Sequence, residues 1–304
     1  MQQPWIVVLA GGEGTRLQSL TRALYGADLP KQFAVLVGDR SLLQLTVERA
    51  ELLTTRDRIL VIVSEHRAAI ARDQLAPYRG VELVVQPRAL DTGPGLLLPL
   101  ARILARDPRG TVAFLPSDHY LADTQPLIDA LRTPAVDRVS LIGVAPTGPE
   151  LEYGWIVPGR RIGRTAAFAV TRFVEKPEEP LAESLFASGA LWNTFIQSGA
   201  VTTYWDLARR HLPNHALAFE HYATAVDTLA EEHVLEGAYA RMQPANFSRD
   251  LLAHANELAV IPVSGTGWSD WGSPRRVFES LAGTRHLDDL LARIRAPHTD
   301  QLAS

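Results

Sequence analysis

A glycine-rich segment near the start of the chain, followed by two basic residues, is suited to binding an anion. The apolar run of residues 5–10 is followed by three glycines, Gly11, Gly12 and Gly14. Glycine adopts a positive φ readily, and because it has no Cβ its backbone N–H groups can approach an anion closely. Arg16 and Lys31 come next, and two cations beside such a loop suit a polyphosphate whose charge grows during a reaction. The alternative is an ordinary tight turn between a strand and a helix, with two surface charges.

The two common phosphate-binding glycine motifs do not fit this loop. A P-loop ends in Gly-Lys-Ser or Gly-Lys-Thr, and that ending is absent here. A dinucleotide-binding fingerprint needs a third glycine where this chain has Leu17. The order Gly-Gly-x-Gly-Thr-Arg therefore indicates a different kind of phosphate site.

Two aspartates could add a metal ion to such a site. Asp118 ends an apolar run in AFLPSD, and Asp270 is flanked by Trp268 and Trp271 in GWSDWG. Mg²⁺ binds one or two carboxylates together with substrate phosphates and waters, so two aspartates are enough. Taken singly, Asp118 could instead cap a helix and Asp270 could form a turn.

The composition excludes several other kinds of chemistry. The 304 residues include no cysteine, which rules out disulfides, thiolate nucleophiles, zinc-thiolate sites and iron–sulfur clusters. The nine histidines form no HExxH pattern, and no GxSxG elbow offers a serine nucleophile. The formal net charge of −4 provides no global basic field for nucleic acid. The first apolar run is too short for a signal peptide or a membrane span, so we expect a soluble, cytoplasmic protein without a membrane partner.

The elements that would position these residues alternate between strands and helices. Strand-like runs begin near residues 5, 58, 81, 111 and 139, and the helix candidates between them include one capped by Ser41 and one with Pro94 in its first turn. This alternation predicts an α/β fold whose mostly parallel sheet is covered on both faces, with ligands beyond the carboxyl ends of the strands. Later strands are predicted at YGWIVPG, AAFAVTRFVEKP and ELAVIPVSG, and two helices and a polar tail after Ser273.

Seven motifs, in order along the chain, resemble those of the sugar-1-phosphate nucleotidylyltransferases: LAGGEGTRL, PKQF, SLLQLT, LPSDH, FVEKP, LWN and GWSDWGS. Within that family they are most similar to mannose-1-phosphate guanylyltransferases. The resemblance implies a Rossmann-like three-layer fold with a mixed, mostly parallel central sheet. It also implies a catalytic domain over residues 1–272 and a short helical appendage over 273–304, without an isomerase domain. The implied reaction joins a nucleoside triphosphate and a sugar 1-phosphate into a nucleotide sugar and pyrophosphate.

The resemblance also assigns the site residues. The expected catalytic residues are Arg16, Lys31 and Asp118, and the expected metal is Mg²⁺, held by Asp118 and Asp270. The expected nucleotide-binding residues are Leu9, Ala10, Gly11, Gly12, Gly14, Thr15, Arg16, Lys31, Asp91 and Thr92. The sugar phosphate is expected to bind Gly154, Glu175, Lys176 and Asn193. Without the resemblance, a Glu-Lys pair beside proline is typical of a solvated turn.

The choice of base rests on the segment QPRALDTGPG. The corresponding loop of guanylyltransferases usually reads Arg-Asn-Thr-Ala-Pro, whereas here Leu90 and Asp91 occupy the first two positions and Arg88 comes two residues early. Asp91 accepts hydrogen bonds only, which suits the N1–H and N2 amino donors of guanine, so we predict a preference for GTP. Asp91 and Thr92 could also simply cap the helix that contains Pro94.

Several features leave the prediction open. Thr194 and Phe195 replace the small residues that commonly follow the asparagine of the family, and extra residues between Leu17 and Pro30 suggest an extended loop. Mannose 1-phosphate is the first expectation for the sugar, with a heptose or another hexose such as glucose next. A nucleotide-sugar-dependent glycosyltransferase and a non-catalytic nucleotide-sugar sensor are the alternative functions. The oligomeric state is open, with a homodimer as one option.

Overall fold

Strands and helices alternate along most of the chain. The structure is a computed structural model, described for residues 3–132 and 137–296. The strands in these residues are β1 (Trp5–Leu9), β2 (Ile59–Ser64), β3 (Glu82–Gln86), β4 (Thr111–Pro116), β5 (Val139–Val144), β6 (Gly154–Arg161), β7 (Phe168–Glu175), β8 (Leu191–Ala200) and β9 (Leu258–Val263). The α-helices in these residues are α1 (Gln18–Tyr25), α2 (Leu42–Glu51), α3 (Ala68–Leu75), α4 (Thr92–Arg106), α5 (Gln125–Leu131), α6 (Glu179–Ala187), α7 (Val201–His211), α8 (Pro213–Ala223), α9 (Glu231–Arg241), α10 (Pro274–Leu281) and α11 (Arg285–Arg295).

The described strands form a single mixed sheet. Their order is β3-β2-β1-β4-β8-β5-β9-β7-β6, and β6 also pairs with β8. β1 is parallel to β2 and β4, β2 is parallel to β3, and β5 is parallel to β9. β8 is antiparallel to β4 and β5, and β7 is antiparallel to β9 and β6. All the described strands except β7 and β8 therefore run in one direction, which confirms the predicted α/β class and mixed, mostly parallel sheet.

Helices cover both faces of the sheet and make three layers. Side chains alternate along β1, so Val7 packs into one apolar cluster, which includes Trp205 of α7 and Phe219 of α8. Ile6 and Val8 pack into a second cluster, which includes residues of α2, α3 and α5. Because both faces are covered, the central strands are nearly continuous apolar runs, such as WIVVL in β1.

A third apolar cluster joins α1 to the C-terminal helices. Leu20 and Leu24, which lie four residues apart on one face of α1, pack with Val277 of α10 and Leu290 of α11. The segment after the glycine loop is therefore a packed helix, and the expected extended loop is wrong for residues 18–25. The two predicted C-terminal helices are present, and the predicted polar tail lies outside the described residues from position 297 onward.

β8 is the element that the sequence pattern missed. It lies between β4 and β5, and its centre carries the buried polar residues Gln197 and Ser198. Polar residues at buried positions hide the apolar run by which a central strand is usually recognised. The predicted cap of α2 is confirmed, because Ser41 and Gln44 form a reciprocal capping box. Among the described helices, none is long and apolar enough to cross a lipid bilayer.

Candidate active site

Two segments far apart in sequence bring the predicted metal-binding aspartates to the carboxyl end of the sheet. Asp118 comes just after β4, and Asp270 lies in the loop that follows β9. Tyr120 and Ser269 join these segments by an antiparallel bridge with reciprocal backbone hydrogen bonds of 2.9 and 3.1 Å. The rings of Tyr120 and Trp271 stack with their centroids 4.5 Å apart. The bridge and the stacked rings therefore fix the two aspartates relative to each other.

Lys31 connects the two aspartates. Its ammonium group pairs with Asp118 (Nζ to Oδ2, 3.0 Å) and donates a hydrogen bond to the backbone carbonyl of Asp270 (2.5 Å). Lys31 is 4% exposed, whereas the side chain of Asp118 is 33% exposed. The lysine lies behind the Asp118 carboxylate and lines neither of the two cavities described below.

Asp270 is oriented mainly through one carboxylate oxygen. Its Oδ1 accepts hydrogen bonds from the hydroxyl of Tyr153 (2.6 Å), the backbone N–H of Gly272 (2.9 Å) and the guanidinium of Arg276 (2.9 Å). Its Oδ2 contacts the guanidinium of Arg16 at 3.3 Å. The predicted cation of the glycine loop and the predicted acid of the last motif are therefore direct neighbours.

Both aspartates are ionised at neutral pH. Burial raises the pKa of Asp118, but its neighbours, among which the charge of Lys31 has the largest effect, together outweigh burial and hold the pKa below its usual value. Burial also raises the pKa of Asp270, and the hydrogen bond from Tyr153 together with the Lys31 charge brings the pKa below its usual value. The site therefore presents two charged carboxylates.

This donor set fits a hard divalent cation that the substrate helps to bind. Asp118 uses Oδ2 for Lys31, and Asp270 uses Oδ1 for its three donors. Asp118 Oδ1, which lies 3.6 Å from His119 Nε2, and Asp270 Oδ2, which lies 3.3 Å from Arg16, have fewer contacts and are the oxygens that would bind a cation. In residues 3–132 and 137–296, no group of three or more His, Cys, Asp and Glu side chains could hold a metal ion by itself. Mg²⁺ commonly takes one or two carboxylates and completes its shell with phosphates and waters. Two carboxylates without a third protein ligand are compatible with such an ion.

A cavity of about 470 Å³ lies at the carboxyl ends of β1, β3 and β4. We call it the nucleotide-side cavity, because it is lined by the predicted residues Leu9, Gly11, Gly12, Asp91, Thr92 and Asp118. The other predicted nucleotide residues, Ala10, Gly14, Thr15, Arg16 and Lys31, do not line it. The backbone N–H of Ala10, for example, bonds to the carbonyl of Ile62 (2.9 Å) and belongs to the sheet.

The three glycines of the loop have different roles. Of the three, Gly14 alone has a positive φ, at 61°, and a Cβ on it would lie 2.8 Å from the backbone nitrogen of Lys31. Glycine at this position therefore lets the loop pass close to Lys31. A Cβ on Gly12 would meet no atom within 4 Å, so Gly12 borders open space in the nucleotide-side cavity. The Cβ position of Gly11 lies 3.1 Å from the side-chain amide nitrogen of Gln86.

Asp91 and Thr92 begin helix α4 at the wall of the same cavity. Asp91 is the N-cap, and its Oδ1 accepts hydrogen bonds from the backbone N–H of Thr92 (2.6 Å) and the side-chain amide of Asn246 (3.2 Å). The structure therefore confirms the capping alternative, while the Asp91 carboxylate still borders the cavity. Arg88 does not line the cavity and donates instead to the carbonyl of Tyr239 (3.4 Å).

A second cavity of about 300 Å³ brings together all four residues predicted to bind the sugar phosphate. We call it the sugar-side cavity, and its lining includes Gly154, Glu175, Lys176 and Asn193 together with Arg16 and Asp270. A Cβ on Gly154 would lie 2.8 Å from the Glu175 carboxylate and 3.3 Å from the Cβ of Asn193, so glycine allows these residues to lie close together. Burial raises the pKa of Glu175, against the opposing effect of Lys176.

The two cavities adjoin each other. Thr92, His119 and Phe195 line both of them, Asp118 lines the nucleotide-side cavity and Asp270 lines the sugar-side cavity. The acidic pair therefore stands where a molecule in one cavity would meet a molecule in the other.

Left-handed backbone is concentrated around this cleft. Among the described non-glycine residues with positive φ, Asp91, Lys176 and Phe195 line the cavities and Trp271 is next to Asp270, whereas Asp227 lies elsewhere. Such conformations cost about 1–3 kcal/mol each and persist where the surrounding structure enforces them. Their grouping is typical of a functional site.

Arg276 is a site residue that the sequence did not reveal. It belongs to the basic patch SPRR, which is typical of a solvated loop, yet its side chain is 16% exposed. Its guanidinium pairs with Glu150 as well as Asp270 and lies 4.8 Å from the centroid of the Tyr153 ring. The contact with Glu150 spans 126 positions of the sequence, and no local signal could have predicted it.

His119 and Gln86 are two further cleft residues that were not predicted. Burial lowers the pKa of His119, and its Nδ1 accepts a hydrogen bond from the indole of Trp268 (3.3 Å), so the imidazole is neutral with its proton on Nε2. Nε2 lies 3.6 Å from Asp118 Oδ1. Gln86 ends β3, lines the nucleotide-side cavity and is 6% exposed. Their signal was available, because Gln86 is the last residue of β3 and His119 comes shortly after β4, so both polar residues lie at the carboxyl ends of strands.

Comparison with known proteins identifies the family to which the chain belongs. Residues 6–285 match the family model described as "Nucleotidyl transferase". The mannose-1-phosphate guanylyltransferase of Escherichia coli strain K12 is 30% identical over 291 residues, which cover 91% of this chain and 60% of that protein. That of Salmonella montevideo is 28% identical over 288 residues, covering 90% of this chain and 59% of that protein. The chain thus spans about three fifths of the length of these curated relatives.

Solved structures give the same result. A protein described as mannose-1-phosphate geranyltransferase from Thermus thermophilus is 29% identical and superimposes with a TM-score of 0.79, over 92% of this chain and 80% of that one. HddC from Yersinia pseudotuberculosis, complexed with GMP-PN, is 17% identical with a TM-score of 0.56 over 92% of this chain and 98% of that one, which supports the fold alone. The fold, the ordered motifs and the extent of the family match together establish that the chain belongs to the nucleotidyl transferase family.

Proposed function

We propose that this chain transfers a nucleotidyl group from a nucleoside triphosphate to a sugar 1-phosphate and releases pyrophosphate. The observation that carries the proposal is the convergence of four charged residues where the two cavities adjoin. Asp118, Asp270 and Arg16 line the cavities, and Lys31 contacts both aspartates from behind. One cavity is bordered by the glycine loop, and the other contains a carboxylate, an amide and a lysine suited to a sugar phosphate.

The chemistry needs positioning more than it needs a proton acceptor. A phosphate monoester loses its second proton near pH ~6, so the attacking oxygen of the sugar 1-phosphate is already charged at neutral pH. That oxygen forms a bond to the α-phosphorus while the bond from the α-phosphorus to the bridging oxygen of the β-phosphate breaks, and pyrophosphate leaves with that oxygen. The neutral His119 of the junction is therefore not required as a base.

The residues of the chain divide this work between them. The glycine loop and Arg16 bind and orient phosphates, since backbone N–H groups and a guanidinium suit phosphate oxygens. Lys31 holds Asp118 and the backbone of Asp270 in place from behind the cleft. Lys176 meets the phosphate of the sugar, while Glu175 and Asn193 bind its hydroxyl groups.

The metal expected here is Mg²⁺, because nucleotidyl transfer generally depends on a divalent ion and the available donors are two carboxylate oxygens. Asp118 and Asp270 would hold it through Oδ1 and Oδ2, respectively. When bound, the ion neutralises charge on the reacting phosphates. Arg276 and Tyr153 keep the Asp270 carboxylate in a fixed orientation for this purpose.

We further propose GTP and mannose 1-phosphate as the substrates. The Asp91 carboxylate borders the nucleotide-side cavity, and an acceptor-only group suits the N1–H and N2 amino groups of guanine. The names of the curated relatives support mannose 1-phosphate, at 28–30% identity.

A matrix of substrates tests the proposal. Four nucleoside triphosphates are combined with mannose, glucose and heptose 1-phosphates in the presence of Mg²⁺, and pyrophosphate release is measured. We expect the fastest release with GTP and mannose 1-phosphate, and Asp118→Asn should reduce it by orders of magnitude with an unchanged circular dichroism spectrum. Release with no pair would contradict the transferase and favour a sensor, whereas transfer of sugar from a nucleotide sugar to an acceptor would indicate a glycosyltransferase.

A further inference from the structure

Phe195 occupies an unusual position at the junction of the two cavities. It lines both cavities and lies on β8 two residues after Asn193. Its φ is 60°, and its backbone N–H donates a hydrogen bond to the Oδ1 of Asn193 (3.2 Å). The preceding residue, Thr194, is fixed by a hydrogen bond from its hydroxyl to the carbonyl of Ile142 (2.8 Å). The backbone on the N-terminal side of Phe195 is therefore held by side chains of its own strand.

The left-handed conformation is costly for phenylalanine and would be free of this cost for glycine. Residues in such costly backbone conformations cluster at functional sites, which suggests that the ring of Phe195 contributes to ligand binding. The ring is partly buried, and it packs at the margin of the large apolar cluster that also contains Leu9. Its remaining surface borders the cleft.

The lining of the sugar-side cavity suggests what that surface contacts. Glu175, Lys176 and Asn193 are polar and suit the hydroxyl groups and the phosphate of a sugar 1-phosphate. A pyranose also has a face of C–H groups, which an aromatic ring can cover without loss of hydrogen bonds. Phe195 supplies such a ring on the same strand as Asn193.

We propose that Phe195 determines sugar specificity by packing against the C–H face of the bound sugar while Glu175 and Asn193 bind its hydroxyl groups. This inference rests on the proposed function. The ring selects pyranose 1-phosphates whose sugar carries no charged or polar substituent on the face that packs against it, because a hydroxyl or charged group pressed against the ring would lose water without gaining a partner.

Equilibrium binding of products tests the role directly. The wild-type protein and its Phe195→Ala and Phe195→Tyr variants are titrated calorimetrically with GDP-mannose and with GDP, or with the corresponding pair for whichever nucleotide sugar the substrate matrix identifies. Phe195→Ala should weaken binding of the nucleotide sugar about tenfold and binding of the nucleoside diphosphate less than about threefold, because only the nucleotide sugar has the C–H face against which the ring is proposed to pack. Phe195→Tyr keeps the ring and should stay near the wild-type affinity.

Controls separate the possible failures. Phe186 on α6 is 41% exposed, and Phe186→Ala should change neither affinity. If Phe195→Ala binds the nucleotide sugar as tightly as the wild type does, or loses affinity for both ligands equally, this role is overturned while the proposed function stands. A wild-type protein that forms no nucleotide sugar from any substrate pair overturns the proposed function and this role with it.

The backbone argument has its own test. Phe195→Ala and Phe195→Gly both remove the ring, but only glycine adopts the φ of 60° without cost. The thermal midpoint of the glycine variant should exceed that of the alanine variant by about 2 °C. Equal midpoints, or a lower one for glycine, would contradict a strained Phe195. If Phe195→Ala does not fold, Phe195→Gly serves in the binding titrations.

Discussion

Replacing Arg276 with lysine should reduce turnover and raise the Mg²⁺ concentration that activity requires, although Arg276 contacts no substrate in the proposed mechanism. The guanidinium joins Asp270 Oδ1 (2.9 Å) to Glu150 and lies over the ring of Tyr153. Lysine keeps the charge but has a single ammonium, so it cannot reproduce the planar fork that serves both carboxylates. Asp270 would keep its hydrogen bonds from Tyr153 and Gly272 but would lose the third restraint on Oδ1.

The size of the effect follows from these contacts. Partners that orient a metal-binding side chain typically contribute about 10–100-fold to metal affinity or activity, so we expect kcat to fall within that range in Arg276→Lys. The Mg²⁺ concentration for half-maximal activity should rise by a similar factor. One charge-assisted hydrogen bond in a largely buried location is worth about 1.5–3 kcal/mol, which a protein of this size can lose and remain folded.

The assay is pyrophosphate release at several Mg²⁺ concentrations, with Arg275→Lys as the matched control. Arg275 is the adjacent residue, 77% exposed, and its ion pair with Glu279 spans 3.6 Å. The control should behave as the wild type. The positioning role would be refuted if Arg276→Lys kept the kcat and the half-maximal Mg²⁺ concentration of the wild type. It would also be refuted if Arg275→Lys lost as much activity as Arg276→Lys.

Three further predictions follow from single contacts. Asp91→Asn preserves the N-cap of α4, because asparagine caps as well as aspartate, but it should lower the ratio of GTP to UTP turnover, and an unchanged ratio would exclude Asp91 from base selection. Gly14→Ala should lower the thermal midpoint, because the φ is 61° and the added Cβ would lie 2.8 Å from the backbone nitrogen of Lys31. Gly12→Ala should keep the midpoint and raise the KM for the triphosphate, because its Cβ would enter the open space of the cavity. The reverse pattern in thermal melts and kinetics would contradict these roles. Burial and the hydrogen bond from Tyr78 to Glu48 (2.7 Å) raise the pKa of Tyr78 to about 12, so its contribution to the free energy of unfolding is complete below pH ~10 and is lost as the pH rises toward about 12. Urea titrations at several pH values should show that the free energy of unfolding falls less over this range in Tyr78→Phe than in the wild type. An equal fall in both proteins would rule the contribution out.

Much of the fold could be predicted because buried strands leave a direct trace in the sequence. The apolar runs of β1, β2 and β4 reflect burial on both faces of the sheet, and the polar residue that follows such a run marks the ligand-binding edge. The prediction that Asp118 lies at this edge rests on such a run, and Asp118 follows β4 in the structure. The sequence pattern does not reveal β8, because Gln197 and Ser198 interrupt its apolar run. The residue spacing suggests a loop at residues 18–25, where the structure has α1 with Leu20 and Leu24 at helical spacing.

The parts of the site that could not be predicted depend on contacts between distant residues. The glycine loop indicated cations near phosphates, but the sequence could not reveal that Lys31 would be buried behind Asp118. The ion pair of Arg276 with Glu150 and the backbone bridge that joins the segments of the two aspartates likewise require the folded chain. Hydrophobic periodicity reports which face of an element is buried, and it carries no information about which polar side chains meet across the fold.

The most direct test of the proposed site is a crystal structure with Mn²⁺ in place of Mg²⁺ and with GDP-mannose, or the nucleotide sugar that the wild type makes. The proposal predicts an anomalous peak between the carboxylates of Asp118 and Asp270, the nucleotide in the nucleotide-side cavity and the sugar beside Glu175 and Asn193. A peak at another position, or a nucleotide sugar bound outside the two cavities, would contradict it.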